Sequence, residues 1–153
     1  MTTRRSEPLI VYIDGSARGN PGPAGVGVVV FEPDTDTPVA EISKYIGTAT
    51  NNIAEYEALI HALKYITNAQ KTRAVIKLDS ELVFKQVTGT YKVRKPHLAI
   101  QLRRVRILQQ KIKDVSLLLI PRSENKLADR LAQRASKKVK RIKQSFSQKK
   151  LIE

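Results

Sequence analysis

Apolar and polar positions in this chain keep two different rhythms. Leu9-Ile10-Val11-Tyr12-Ile13 is a continuous apolar run, which predicts a buried strand over residues 8–14. Gly15, Gly19, Pro21, Gly22 and Pro23 then break the chain, and Ala24 to Phe31 resumes it as a second strand over 24–32. Pro33-Asp34-Thr35-Asp36-Thr37-Pro38 reads as a turn. Residues 39–47 alternate, with Ala40, Ile42 and Ile46 on one face and Lys44 interrupting the pattern. Three strands joined by short turns make an antiparallel meander. The period then changes. Ile53, Tyr56, Leu59, Leu63 and Ile66 have helical spacing, predicting a helix that starts near Asn52. Ala74 to Leu78 is a fourth strand, and Ser80 opens a short helix with Leu82, Val83 and Val87 inside. After a connector from Gly89 to Pro96, Leu98, Leu102, Val105, Leu108 and Ile112 mark another helix. Val115 to Ile120 is a fifth strand, and a last helix begins near Ser123.

The order β-β-β-α-β-α-α-β-α predicts an α/β fold. Its later strands alternate with helices, so they should lie parallel, with right-handed crossovers. A mixed five-stranded sheet, three antiparallel strands and then two parallel ones, with helices on both faces, is the economical arrangement. Asp14 and Asp79 each close a strand. With strands one and four as parallel neighbours, both carboxylates reach the carboxyl edge of the sheet, where open α/β sheets place their sites. One domain over residues 8–136 and a basic extension over 137–153 account for the chain.

Composition narrows the function. The 153 residues suffice for one domain with a core. The absence of cysteine excludes disulfides and thiolate metal sites. Neither a signal-peptide pattern nor a run of eighteen apolar residues is seen, which gives the expectation of a cytoplasmic protein with no membrane partner. The formal net charge of +14 points to a polyanion, most often nucleic acid. Much of it lies in Lys137-Lys138-Val139-Lys140-Arg141-Ile142-Lys143 and in Lys149 and Lys150. Val139, Ile142 and Phe146 are spaced like a helix face, so the expectation is a packed helix with non-specific phosphate contacts; nuclear targeting is an unspecific alternative.

Four acids invite chemistry, although each has a bland explanation. A carboxylate at the end of a buried strand, such as Asp14, is costly unless a cation or donor compensates it. The glycines that follow do not form a phosphate cradle, because the chain runs into another strand and no Gly-Lys-Ser/Thr appears. Asn52 with Glu55 three residues on is a capping-box arrangement. Asp79 before Ser80 is a common helix entry, and Asp129 lies in a helix where an exposed acid is ordinary.

The surrounding residues change that balance. Tyr12-Ile13-Asp14-Gly15-Ser16-Ala17-Arg18-Gly19-Asn20-Pro21-Gly22-Pro23-Ala24-Gly25, Thr50-Asn51-Asn52-Ile53-Ala54-Glu55, Asp79-Ser80-Glu81-Leu82-Val83 and Pro121-Arg122-Ser123-Glu124-Asn125-Lys126-Leu127-Ala128-Asp129 stand in that order. They resemble the four signature blocks of type 1 ribonuclease H. The resemblance implies the ribonuclease H-like fold and a metal-dependent endonuclease that hydrolyses the RNA strand of RNA–DNA hybrids, leaving 5′-phosphate and 3′-hydroxyl ends. It implies that Asp14, Glu55, Asp79 and Asp129 are the catalytic, metal-holding acids. Asp14 would bridge two Mg²⁺ ions (Mn²⁺ being the alternative), Glu55 and Asp79 would hold one, and Asp129 would complete the other. Two such ions about 4 Å apart stabilise both the attacking and the leaving oxygen of a phosphodiester. By the same resemblance Gly15, Ser16, Asn20 and Asn51 read the minor groove, where 2′-hydroxyls mark RNA. Arg18, Thr50, Arg122 and Asn125 are further nucleic-acid contacts. The implied partner is a hybrid bound by a monomer, with double-stranded RNA as a further candidate substrate.

The chain departs from the family in three places. The loop before the last helix, Ile120 to Asn125, has no histidine; the two histidines, His61 and His97, read as structural. Glu81 stands where some relatives have glutamine. The connector carries only Lys92, Arg94 and Lys95 in place of a long basic insertion, which brings the pattern closer to the archaeal-type branch. Two rival readings are a non-catalytic duplex binder of the same fold and a module serving a larger polymerase or helicase; Mg²⁺-dependent nicking of a hybrid separates the first of these from an enzyme.

Overall fold

The computed structural model describes residues 7–137. Strands β1 (Leu9–Ala17), β2 (Gly22–Phe31) and β3 (Ala40–Ala49) form the meander. Helix α1 (Asn51–Asn68) leads to β4 (Arg73–Leu78), and α2 (Glu81–Val87) and α3 (Pro96–Gln109) lead to β5 (Asp114–Leu119). A 3₁₀ turn, Arg122–Glu124, precedes α4, which occupies residues 126–137. The five strands are ordered β3-β2-β1-β4-β5; β2 runs antiparallel to both its neighbours, and β1, β4 and β5 are parallel. The expected fold is therefore observed, with boundaries shifted by one to three residues. The basic segment beyond Lys137, including the expected Val139-Ile142-Phe146 face, lies outside the described residues.

The main core fills one face of the sheet. Leu9, Val11 and Ile13 of β1 and Val26, Val28 and Val30 of β2 meet Tyr56, Leu59, Leu63 and Ile66 of α1, all buried. The helical stripe read from the sequence is thus the buried stripe, with Ile53 only partly covered. The Tyr56 hydroxyl is satisfied inside this core by donating to Gln86 at 2.7 Å. Helix α4 covers the other face, where Val29, Ala128 and Leu131 form a second, smaller cluster.

Three glycines let helices seat directly on strand backbone. A Cβ at Gly15 would lie 2.2 Å from the carbonyl carbon of Ala54, at the start of α1. A Cβ at Gly27 would lie 2.1 Å from the Ala128 carbonyl oxygen, and one at Gly25 2.5 Å from the Ala135 Cβ. Both ends of the site are thereby pulled tight against β1 and β2. Ser43 of β3 adds a tether, donating to the Leu131 carbonyl at 2.7 Å. Lys44 shares the face of Ile42 on this edge strand and stays exposed, a charge of the kind that discourages edge-to-edge pairing. No helix among the described residues is long and apolar enough to cross a membrane.

Candidate active site

Asp14 is not the last residue of its strand, as the apolar run suggested. It lies within β1, paired with Gly27 of β2. On its other side the pairing of β1 with β4 ends at Tyr12–Lys77. Beyond that point β1 continues with one edge open, and Asp14 stands where the sheet has split. Asp79 follows the last residue of β4 at the same level, so the two acids do meet at the carboxyl edge as expected.

The capping-box reading of Glu55 does not hold. The N-cap is Thr50, whose hydroxyl accepts from the Ile53 N–H at 3.2 Å, and Asn52 lies inside the helix. Freed from capping, Glu55 is buried and turned towards β1 because Gly15 has no side chain to hold α1 away. Its Oε1 accepts from the Gly15 N–H at 3.0 Å, and the same N–H serves Asp14 Oδ1 at 2.9 Å. One donor is shared between two acids. Asp14 Oδ2 and Glu55 Oε2 are buried and have no partner at all.

Carboxylate oxygens of Asp14, Glu55 and Asp79 lie within 4.8 Å of one another. Asp14 is 1 % exposed and Glu55 8 %. Burial is the largest influence on both and pushes both carboxyls well above the usual carboxylate range. For Asp14 the proximity of Glu55 and Asp79 adds to the rise. For Glu55 the adjoining Asp14 carboxyl, the Gly15 N–H and the charge of Arg122 pull the other way without cancelling the effect of burial. The cluster is short of positive charge.

Asp129 arrives on α4 and lines the same groove, outside the tight cluster of three. Gln133, one turn later, donates to both its oxygens at 3.0 and 3.1 Å. Sequence reasoning did not single out Gln133; its i, i+4 spacing from Asp129 was the available signal. The groove, about 430 Å³ in volume, is lined by Gly15, Ser16, Asn51, Glu55, Asp79, Ser80, Arg122, Asp129 and Gln133.

Among the expected nucleic-acid contacts, Gly15, Ser16, Asn51 and Arg122 line the groove. Asn51 and Asn20 are also tied into the scaffold: Asn51 Oδ1 accepts from the Ala17 N–H, and Asn20 Oδ1 accepts from the Asn51 N–H, each at 3.0 Å. Arg18 is exposed on the hairpin. Thr50 spends its hydroxyl on the helix cap. Asn125 is 1 % exposed and is not among the residues that line the groove. Its Nδ2 donates to the Ile13 carbonyl and to Asp79 Oδ2, both at 2.8 Å, so it clamps the third acid to β1. His61 Nδ1 lies 2.8 Å from the Glu57 carbonyl on α1, and His97 is exposed at the start of α3. Neither lines the groove. Glu81 is held by Lys85 at 2.5 Å, and Lys85 in turn reaches the Tyr91 hydroxyl at 3.3 Å.

The family model described as reverse transcriptase-like matches residues 12–135. The chain is 44% identical over 124 residues to the ribonuclease HI of Halobacterium salinarum, covering 81% of this chain and 62% of that protein. It is 40% identical over 124 residues to a bifunctional protein of Mycobacterium tuberculosis, covering 81% of this chain and 34% of that protein. The chain therefore spans between a third and two thirds of the length of these curated relatives. Among solved structures, LC11-RNase H1 in complex with an RNA/DNA hybrid is 38% identical with a TM-score of 0.80, covering 86% of this chain and 98% of that one.

Proposed function

We propose that this chain, which belongs to the type 1 ribonuclease H family, is an endoribonuclease that hydrolyses the RNA strand of RNA–DNA hybrids with two divalent cations, Mg²⁺ first among them. The observation that carries the reading is the cluster of three carboxylates within 4.8 Å, two of them buried and each with one oxygen left without a partner. Acids so placed fit hard cations, which take oxygen ligands and keep some of their water. Asp14 would face both ions, Glu55 and Asp79 would hold one, and Asp129 would complete the other. Bound there, the ions supply the positive charge that activates a water and stabilises both the attacking and the leaving oxygen.

The rest of the work falls to the chain. The Gly15 N–H fixes the Asp14 and Glu55 carboxylates in place, and Asn125 fixes Asp79. Arg122 stands at the rim as a permanent cation for a backbone phosphate. Gly15, Ser16 and Asn51 offer short polar groups to a minor groove in which the 2′-hydroxyl distinguishes RNA. The hydroxyl is read and not consumed, since no histidine among the described residues lines the groove to serve as a general base. Cleavage then leaves 5′-phosphate and 3′-hydroxyl ends.

A substrate panel at fixed salt tests this: hybrid, RNA duplex, DNA duplex and single-stranded RNA, with Mg²⁺, with Mn²⁺ and with EDTA. The expected result is metal-dependent cutting of the hybrid, lost in Asp79→Asn. A 2′,3′-cyclic end that persists in EDTA would overturn the two-cation reading and the roles of all four acids.

A further inference from the structure

We infer that the outer face of α4 is a second nucleic-acid surface, a row of Lys126, Arg130, Arg134 and Lys137 that grips the phosphate backbone of a duplex running beyond the catalytic groove. This deepens the proposed function and rests on it for the identity of the duplex.

The row is geometric. At about 100° per residue these four side chains fall within an arc of about 80° on the helix. All four are exposed. The opposite side of α4 is the one that seats on the sheet, through Ala128, Leu131, Ala132 and Ala135, all buried. Asp129 and Gln133, each one residue before an arginine of the row, line the groove. The row therefore begins at the rim of the groove and continues round the helix away from it.

Its electrostatics make little sense for a helix that only packs. Like charges at i, i+4 repel, and here they recur at 126, 130 and 134. Asp129 is the sole acid between residues 126 and 137, and Gln133 holds it. Four ion pairs form elsewhere among the described residues, including Lys85 with Glu81 on α2, Arg104 of α3 with Glu57 of α1, and Arg73 with Asp114. None of the four residues of the row joins an ion pair among the described residues. Lys126 also stands in the first turn, where the helix dipole disfavours a cation. A polyanion outside the protein relieves all of these. The rise of about 6 Å between successive i, i+4 side chains lets neighbouring residues meet successive phosphates without reading sequence.

The test compares wild type with K126Q/R130Q/R134Q in the full chain. Binding to labelled hybrids of about 12 and about 30 base pairs is followed by fluorescence anisotropy across a salt series in Ca²⁺ or EDTA, where each lost phosphate contact lowers the log–log salt slope by about 0.9. The expected result is unchanged affinity and cleavage rate on the short hybrid, with the long hybrid weakened about tenfold or more and its slope reduced by about 2 to 3. Should the triple variant fail to fold, Arg134→Gln alone should lower the long-hybrid slope by about one unit. An unchanged slope on the long hybrid, or equal losses on both lengths, would overturn the inference. Absence of cutting by wild type on either hybrid would instead refute the proposed function while leaving the length dependence of binding readable.

Discussion

Replacing Asp14 by asparagine should make the metal-free protein more stable at neutral pH. Asp14 and Glu55 are buried, share a single N–H donor, and have carboxylate oxygens no more than 4.8 Å apart. Two full charges at that distance repel by about 3 kcal/mol at an effective dielectric of about 20. Wild type escapes part of this by keeping a proton: burial raises both carboxyls, and at Asp14 the nearby Glu55 and Asp79 add to the rise. An amide at position 14 removes the repulsion and offers Glu55 a donor. The gain should be about 2–3 kcal/mol, or roughly 5–10 °C in melting temperature for a chain of this size. The sign of the pH dependence follows. A group whose folded pKa is raised contributes stability that is complete below its unfolded pKa, near 4, and is lost as pH rises towards the folded value. Metal-free wild type should therefore lose stability from about pH 4 upward through neutrality, and Asp14→Asn should lose less. Differential scanning calorimetry in EDTA at acid and at neutral pH measures both. In Mg²⁺ the order should narrow or invert, because the cation binds the native wild type and weakly if at all the variant. A variant that melts at or below wild type in EDTA at neutral pH, with no narrowing of the difference in acid, would refute the reasoning.

Other substitutions probe the scaffold. Gly27→Ala puts a Cβ 2.1 Å from the Ala128 carbonyl oxygen and should lift α4 from β2, costing about 3 kcal/mol in urea unfolding and most of the activity with it. Asn125→Ala removes the donor shared by Ile13 and Asp79; it should cost about 2 kcal/mol and weaken Mn²⁺ binding in calorimetric titration, even where the fold is intact. Removing residues 138–153 deletes Lys138, Lys140, Arg141, Lys143, Lys149 and Lys150 and should flatten the salt dependence of hybrid binding.

The order and type of the elements were legible because apolar spacing is dictated by the period of the element itself. Ile53, Tyr56, Leu59, Leu63 and Ile66 could hardly face anything but a core, and they do. The acids were legible as a set through the blocks around them. What escaped was what depends on a distant partner. Asn52 and Glu55 satisfy a local capping rule, yet Thr50 takes the cap because β1 engages Glu55 through Gly15. Gly25 and Gly27 sit in an apolar run that reads as strand whatever lies above them; only the arrival of α4 gives them a reason to lack a side chain. Asn125 looked like a surface contact, since nothing near it in sequence reveals that Ile13 and Asp79 lie within its reach.

The glycine seats under α1 and α4 also bear on when the protein becomes active. β1, α1, β4 and α4 each bring one acid, and α4 is the last described element of the chain. A molecule in which β1 to β5 have paired but α4 has not docked holds three acids and lacks the fourth. With the role proposed for Asp129, catalysis would report on completed topology: during synthesis or refolding, cutting should switch on in one step, when residues 126–137 close over β2, and not grow in proportion to secondary structure. The same dependence runs backwards, so that any strain loosening α4 should silence the enzyme before the sheet itself unravels.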